Sequence, residues 1–110
     1  MVRSKEFSDW KNEVLLTGRV TSEGELIELP SGESLIRFRI VVPRHKPTTK
    51  TTVDTIDCVS FKPAIQRTVS RLEIGDIVTM TGTVRRRFWK AGPSVASRVE
   101  VEVATVKKVR

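Results

Sequence analysis

Apolar and polar residues alternate with a period of two along most of the chain. Residues 13–21 (Glu-Val-Leu-Leu-Thr-Gly-Arg-Val-Thr) put Val14, Leu16, Gly18 and Val20 on one side of an extended segment. Gly24 interrupts the run as a bend or bulge, and Leu26-Ile27-Glu28-Leu29 resumes it. Pro30-Ser31-Gly32-Glu33 reads as a turn, since proline presets one dihedral and glycine admits positive φ. The second strand, residues 34–43, turns Ile36, Phe38, Ile40 and Val42 one way and Leu35, Arg37, Arg39 and Val41 the other. Residues 44–51 (Arg-His-Lys-Pro-Thr-Thr-Lys-Thr) carry no apolar period and form a basic loop. A third strand over about residues 52–61 has Val53, Thr55, Asp57, Val59 and Phe61 on one face and Asp54, Ile56, Cys58 and Ser60 on the other.

The period then changes. Pro63 suits the first turn of a helix, and Ile65, Val69 and Leu72 follow at i, i+4 and i+7, with Gly75 as the stop. The spacing predicts one helix of roughly ten residues. Alternation returns from about Asp76 to Trp89, with Val78, Met80, Gly82 and Val84 sharing a face. A loop at Lys90-Ala91-Gly92-Pro93-Ser94 leads to a last strand over about residues 97–109. That strand alternates Val99, Val101, Val103 and Thr105 with Arg98, Glu100 and Glu102. The fold class this order predicts is all-β: a five-stranded Greek-key barrel of the OB type with one helix between strands 3 and 4.

Composition narrows what such a barrel can do. One domain fits in 110 residues, with residues 1–11 as an N-terminal extension and 12–110 as the barrel. The longest aliphatic runs, such as Val14-Leu15-Leu16 and Ile40-Val41-Val42, fall far short of the roughly 18 residues of a membrane span. The opening Met-Val-Arg-Ser-Lys-Glu-Phe has no apolar signal core, which predicts a cytoplasmic protein away from membranes. Cys58 is the only cysteine and His45 the only histidine, so no disulfide within the chain and no thiolate or multi-histidine metal site is expected. Asp54 and Asp57 fall on opposite strand faces, and no acid/base, nucleophile or metal-ligand set accompanies them. The expectation is a binding protein, not an enzyme, with no cofactor.

Charge points to the partner. The formal net charge is +7, unevenly spread. Residues 1–34 hold four basic and seven acidic side chains, residues 35–50 five basic and none acidic, and residues 85–110 eight basic and two acidic. Polarisation of this kind favours a polyanion.

Sequence-tolerant binding of single strands needs cations along the phosphates and flat rings for the bases. Arg85, Arg87 and Trp89 share one side of the fourth strand, opposite Val78, Met80 and Val84. Arg37 and Arg39 oppose Ile36, Phe38 and Ile40, and Phe61 points outward if Ile56 and Cys58 point inward. The expected surface is Arg37, Arg39, Phe61, Arg85, Arg87 and Trp89, flanked by Lys46, Lys50 and His45 on the basic loop. Phe88 has the opposite facing and is expected to pack, while Phe7 and Trp10 are expected to pack against a neighbour. Cys58 reads as a small core hydrophobe. Val99, Val101 and Val103 fit either a core face or an edge that pairs with a partner.

Several segments in order resemble the bacterial single-stranded DNA-binding protein family. They are Asn12-Glu13-Val14-Leu15-Leu16-Thr17-Gly18-Arg19-Val20, Leu29-Pro30-Ser31-Gly32, Asp57-Cys58-Val59-Ser60-Phe61, Gly75-Asp76 and Gly82-Thr83-Val84-Arg85-Arg86-Arg87-Phe88-Trp89. The resemblance spans about residues 12–109. It implies a homotetramer that wraps single-stranded DNA in replication, recombination and repair. It also implies stacking by Phe61 and Trp89 and phosphate contacts by Arg85 and Arg87. Thr55 and the His45/Lys46 region stand where the family often has tryptophan, and Asp57 where a basic residue is common. Fewer rings and more arginines predict salt-sensitive binding. The family usually continues into a disordered linker with an acidic tip; this chain stops at Val106-Lys107-Lys108-Val109-Arg110, so tail-mediated recruitment of repair enzymes is not expected. The alternatives are an OB module for RNA, a replication-restart accessory protein, and a scaffold whose basic face meets an acidic protein.

Overall fold

A computed structural model describes residues 7–110. Most of the N-terminal extension, residues 1–6, lies outside the described residues. The alternating segments form strands β1 (Val14–Val20), β2 (Glu25–Glu28), β3 (Ser34–Pro43), β4 (Val53–Ser60), β5 (Ile77–Ala91) and β6 (Ser94–Lys108). One helix, α1 (Pro63–Ser70), stands between β4 and β5. Among the described residues no helix is long and apolar enough to cross a membrane.

The sheet order is β1-β5-β6-β4-β3-β2, with β1 also pairing β3. The β1–β3 contact, Arg19 to Val41 and Val20 to Ile40, closes five of the strands into a barrel. What the sequence presents as one glycine-broken first strand is two strands. β1 serves β5 and the far half of β3, while β2 pairs with the near half of β3 from Glu25–Arg37 to Glu28–Ser34. The barrel remains the five-stranded OB architecture with its helix.

One side of each strand fills the interior. Val20, Ile36, Phe38, Ile40, Cys58, Val78, Met80, Val101 and Val103 pack with Ile65 and Val69 of α1. Of Val99, Val101 and Val103 on β6, Val101 and Val103 belong to the core and Val99 does not. β6 lies between β4 and β5 rather than at an edge, with Val101 and Val103 buried. Val99 is half exposed, because it stands beyond the barrel rim.

That rim is set by two features of β5 and β6. The register slips at Thr81/Gly82, where Thr105 and then Val103 are the partners, leaving Ala104 as a bulge. The slip presses β6 against Gly82: a Cβ there would stand 2.1 Å from the Glu102 carbonyl oxygen, so only glycine fits. β1 pairs no further along β5 than Val14–Gly82, and β4 meets β6 only at Cys58–Val101 and Val59–Glu102. Beyond those points β5 and β6 continue as a two-stranded ribbon. What the sequence presents as a five-residue loop is a tight turn closed by Ala91–Ser94. Gly92 supplies φ 63° and Pro93 follows.

Candidate nucleic-acid interface

Cross-strand partners point their side chains to the same side of a sheet, so the register assembles the outer wall directly. Arg39 faces Asp57 across β3–β4, and Arg37 faces Val59. Val59 faces Glu102 across β4–β6, and across β5–β6 Arg85 meets Glu100, Arg87 meets Arg98, and Trp89 meets Ala96. Arg37, Arg39, Arg85, Arg87 and Trp89 therefore share one wall, opposite Phe38, Ile40, Cys58 and Met80. Phe61 follows inward-facing Ser60, whose hydroxyl donates to the Val103 carbonyl at 3.1 Å. Phe61 thus faces outward, with the Arg85 guanidinium 5.9 Å from its ring centre.

The two rings differ in setting. Phe61 lies where β4 leaves the barrel, half buried beside a cleft of about 630 Å³ lined by residues including Val14, Gly82 and Val103. Trp89 stands out on the ribbon and is 38% exposed, with the Arg87 guanidinium 5.1 Å from its ring centre. Along β5, Arg85 and Trp89 stand four positions apart, about 13 Å at the rise of a strand.

Lys46 and Lys50 are exposed on the loop between β3 and β4, as is His45. β4 and β6 run parallel, so this loop and the ribbon tip project from the same end of the barrel. Within the loop Arg44 is tied to Asp54 at 2.9 Å, which raises the already high guanidinium pKa by hydrogen bonding and charge attraction.

Carboxylates interleave with the arginines, which reading single strands did not reveal. Arg39 Nε reaches Asp57 at 2.7 Å and Arg37 Nη2 reaches Glu25 at 2.7 Å. Arg85 pairs with Glu102, and Arg87 donates from Nε and Nη2 to the two oxygens of Glu100 at 3.1 and 3.3 Å. Glu100 is 2% exposed, an outer-wall carboxylate sealed under its neighbours. The signal existed in the alternation of Arg98, Glu100 and Glu102. Only the β5–β6 register says that these residues meet Arg85 and Arg87.

The reverse side of the ribbon departs from expectation. Phe88 was expected to pack and is instead 63% exposed, together with Val84, Val95 and Val99. Its parity is inward, but the barrel has ended and, among the described residues, no core lies beneath it. Phe7 and Trp10 pack on each other, ring centres 4.7 Å apart, and both remain exposed. Asn12 holds this end of the chain against the ribbon base: its Nδ2 donates to the Val84 carbonyl at 2.6 Å, and the Val84 N–H donates to its Oδ1 at 2.8 Å.

Known proteins share this architecture. The structure resembles a Plasmodium falciparum SSB in complex with ssDNA, with TM-score 0.74 and 16% identity, covering 92% of this chain and 96% of that one. It also resembles the small single-stranded DNA-binding protein of Streptomyces coelicolor, with TM-score 0.62 and 14% identity, covering 87% of this chain and 92% of the other. At such identities the likeness establishes the fold. No curated protein matches the sequence. The model of the single-strand binding protein family matches residues 11–109, nearly the whole chain. The chain belongs to that family. Single-stranded DNA binding is accordingly its activity. For a single-strand binding protein, a wall that alternates cations with two outward rings has the two ingredients that phosphate tracking and base stacking require.

Proposed function

We propose that the chain binds single-stranded DNA with little regard for sequence, using the outer wall of β3, β4, β6 and β5. Bases stack on Phe61 and Trp89, and phosphates lie against Arg37, Arg39, Arg85 and Arg87, with Lys46 and Lys50 at the ribbon end of the path. The observation that carries this reading is the common facing of Arg85, Arg87 and Trp89 beside Phe61. Stacking accepts any base, and guanidinium–phosphate contacts carry no sequence information.

The binding unit in this reading is residues 12–110. It acts by binding alone, without catalysis or a cofactor. It protects single strands in the cytoplasm during replication, recombination and repair. We also propose that it works as a homo-oligomer, a reading supported by the exposed Phe88, Val84, Val95 and Val99 on the reverse face of the ribbon.

The test is a fluorescence titration with oligo-dT in a Trp10→Phe background, where Trp89 is the only indole. The expected result is quenching on binding, and weakened affinity after Phe61→Ala. Binding without any change in Trp89 emission overturns the assignment. Competition by a matched RNA and by duplex DNA measures the preference for single-stranded DNA.

A further inference from the structure

The arginines of the outer wall already hold anions of the protein's own making, and those anions differ in how firmly they are held. Glu102 is 37% exposed against Arg85 at 43%, and Asp57 is 28% exposed against Arg39 at 53%. The Glu100 side chain is fully buried against a partly exposed Arg87, and it accepts two hydrogen bonds in the bidentate geometry that fixes a guanidinium plane.

We propose that Glu102 and Asp57 are internal stand-ins for phosphate, occupying the Arg85 and Arg39 seats until DNA displaces them, whereas Glu100 positions Arg87 and is not displaced. This rests on the reading of the same wall as the DNA-binding surface. Partly exposed pairs are weak, so a phosphate competes with them readily. Once displaced, the carboxylate stays on the wall as a like charge beside the incoming phosphate and lowers affinity. Glu100 cannot leave: swinging Arg87 away would strand a buried charge without a partner, so Arg87 meets a phosphate only through the N–H groups that Glu100 does not engage. Arg87 therefore keeps its place over Trp89, holding the indole for a base. The wall thus combines releasable cation seats, Arg37 with its exposed partner Glu25 among them, with one rigid stacking post. That favours strands that bind and leave quickly over strands that are held.

Neutralising isosteres test this, because the same change of charge is expected to act with opposite sign at different positions. Glu102→Gln and Asp57→Asn should each tighten oligo-dT binding at low salt by up to about fivefold. The Glu73→Gln variant, in the α1–β5 connection, controls for net charge and should shift affinity by much less. Glu100→Gln should weaken binding and reduce the quenching of Trp89, measured in the Trp10→Phe background. If Glu100→Gln does not fold, Arg87→Lys replaces it. That variant keeps the charge, loses the bidentate grip, and should weaken binding and quenching in the same way.

Glu102→Gln and Asp57→Asn variants that shift affinity no more than Glu73→Gln overturn the stand-in role. Unchanged quenching in Glu100→Gln or Arg87→Lys overturns the positioning role. Trp89→Ala and Arg87→Ala separate these failures from failure of the wall itself. If both weaken binding, the wall stands and only the carboxylate roles fall. If neither does, the surface is wrong and the inference falls with it.

Discussion

The Arg87 guanidinium lies 5.1 Å from the centre of the Trp89 ring while donating twice to the buried carboxylate of Glu100. A cation over one face of an indole stiffens the ring and leaves its other face for a base. Truncating Trp89 should therefore remove a stacking contact worth about 1–3 kcal/mol. Trp89→Ala is expected to weaken oligo-dT binding correspondingly, with little change in thermal stability, because the ring stands on the ribbon outside the core. Anisotropy titrations with labelled oligo-dT, paired with thermal melts, check both halves.

Salt dependence counts the phosphates. Each one neutralised on a single strand contributes about 0.7 to the slope of log affinity against log salt. Arg85→Ala is expected to flatten that slope by about this amount and to weaken poly-dT, poly-dC and poly-dA alike, since a guanidinium against a phosphate reads no base. A loss confined to one homopolymer would mean that Arg85 contacts base edges instead. Titration at four salt concentrations against all three polymers decides the matter.

The barrel was legible in the sequence because its strands are half buried, and a half-buried strand writes its facing as alternation. Val14, Leu16 and Val20, then Ile36, Phe38 and Ile40, then Val78 and Met80, all point where the period of two places them. The outward facing of Arg85, Arg87 and Trp89 follows from the same parity. Three things were not legible, because the period of a strand does not name its partners. Glu100 and Glu102 meet Arg87 and Arg85 only through the register of β5 on β6, which runs unbroken from the turn at Ala91–Ser94, and single-strand periodicity contains no register. Phe88 has core parity but lies past the point where β1 and β4 stop pairing, and parity does not say where a barrel ends. Likewise, the split of the first strand into β1 and β2 depends on which half of β3 each one pairs.

Gly82 carries a steric constraint that can be measured. A Cβ at this position would stand 2.1 Å from the Glu102 carbonyl oxygen and 3.1 Å from the Val103 Cα, both backbone atoms that cannot rotate away. Gly82→Ala must push β6 off β5 at the bulge beside the barrel rim. The expected cost is about 1–3 kcal/mol or somewhat more, typical of overpacking. It should appear as a lowered denaturant midpoint. A midpoint within error of wild type would show that β6 shifts freely there.

Cys58 gives the fold a dependence on alkaline pH. Burial pushes its thiol up to about 12, reinforced by the nearby negative charges of Asp57 and Glu100. An ordinary thiol titrates near 8.5, so the unfolded chain gives up this proton at lower pH than the folded one. The stability tied to the neutral thiol is complete below about pH 8.5 and drains away as pH climbs from there toward the folded-state value. Stability of the wild type should fall between about pH 9 and 11 more steeply than that of Cys58→Ala, which lacks the group. The native thiol should also resist alkylation at pH 8 until denaturant is added. Parallel pH profiles for the two proteins, or rapid labelling of the native thiol, would contradict the shift.

The reverse side of the ribbon supplies the test of assembly. Phe88, Val84, Val95 and Val99 are 63%, 44%, 68% and 48% exposed on one side of a two-stranded arm, a poor arrangement for an isolated chain in water. Past Val84, whose backbone groups are held by Asn12, the outer edge of β5 has no strand beside it among the described residues. An arm whose one side sets these apolar residues around Arg86 and Lys90, with an open edge, is suited to self-association, whereas its opposite side carries Trp89 and Arg87. Replacing Phe88 and Val95 together by serine should therefore lower the mass measured by light scattering during gel filtration, with the fold intact by circular dichroism. Oligo-dT binding should persist per chain but lose the avidity that linked sites confer. A wild-type protein that runs as a monomer at micromolar concentration would remove the homo-oligomer from the proposal and leave the single-strand binding wall untouched.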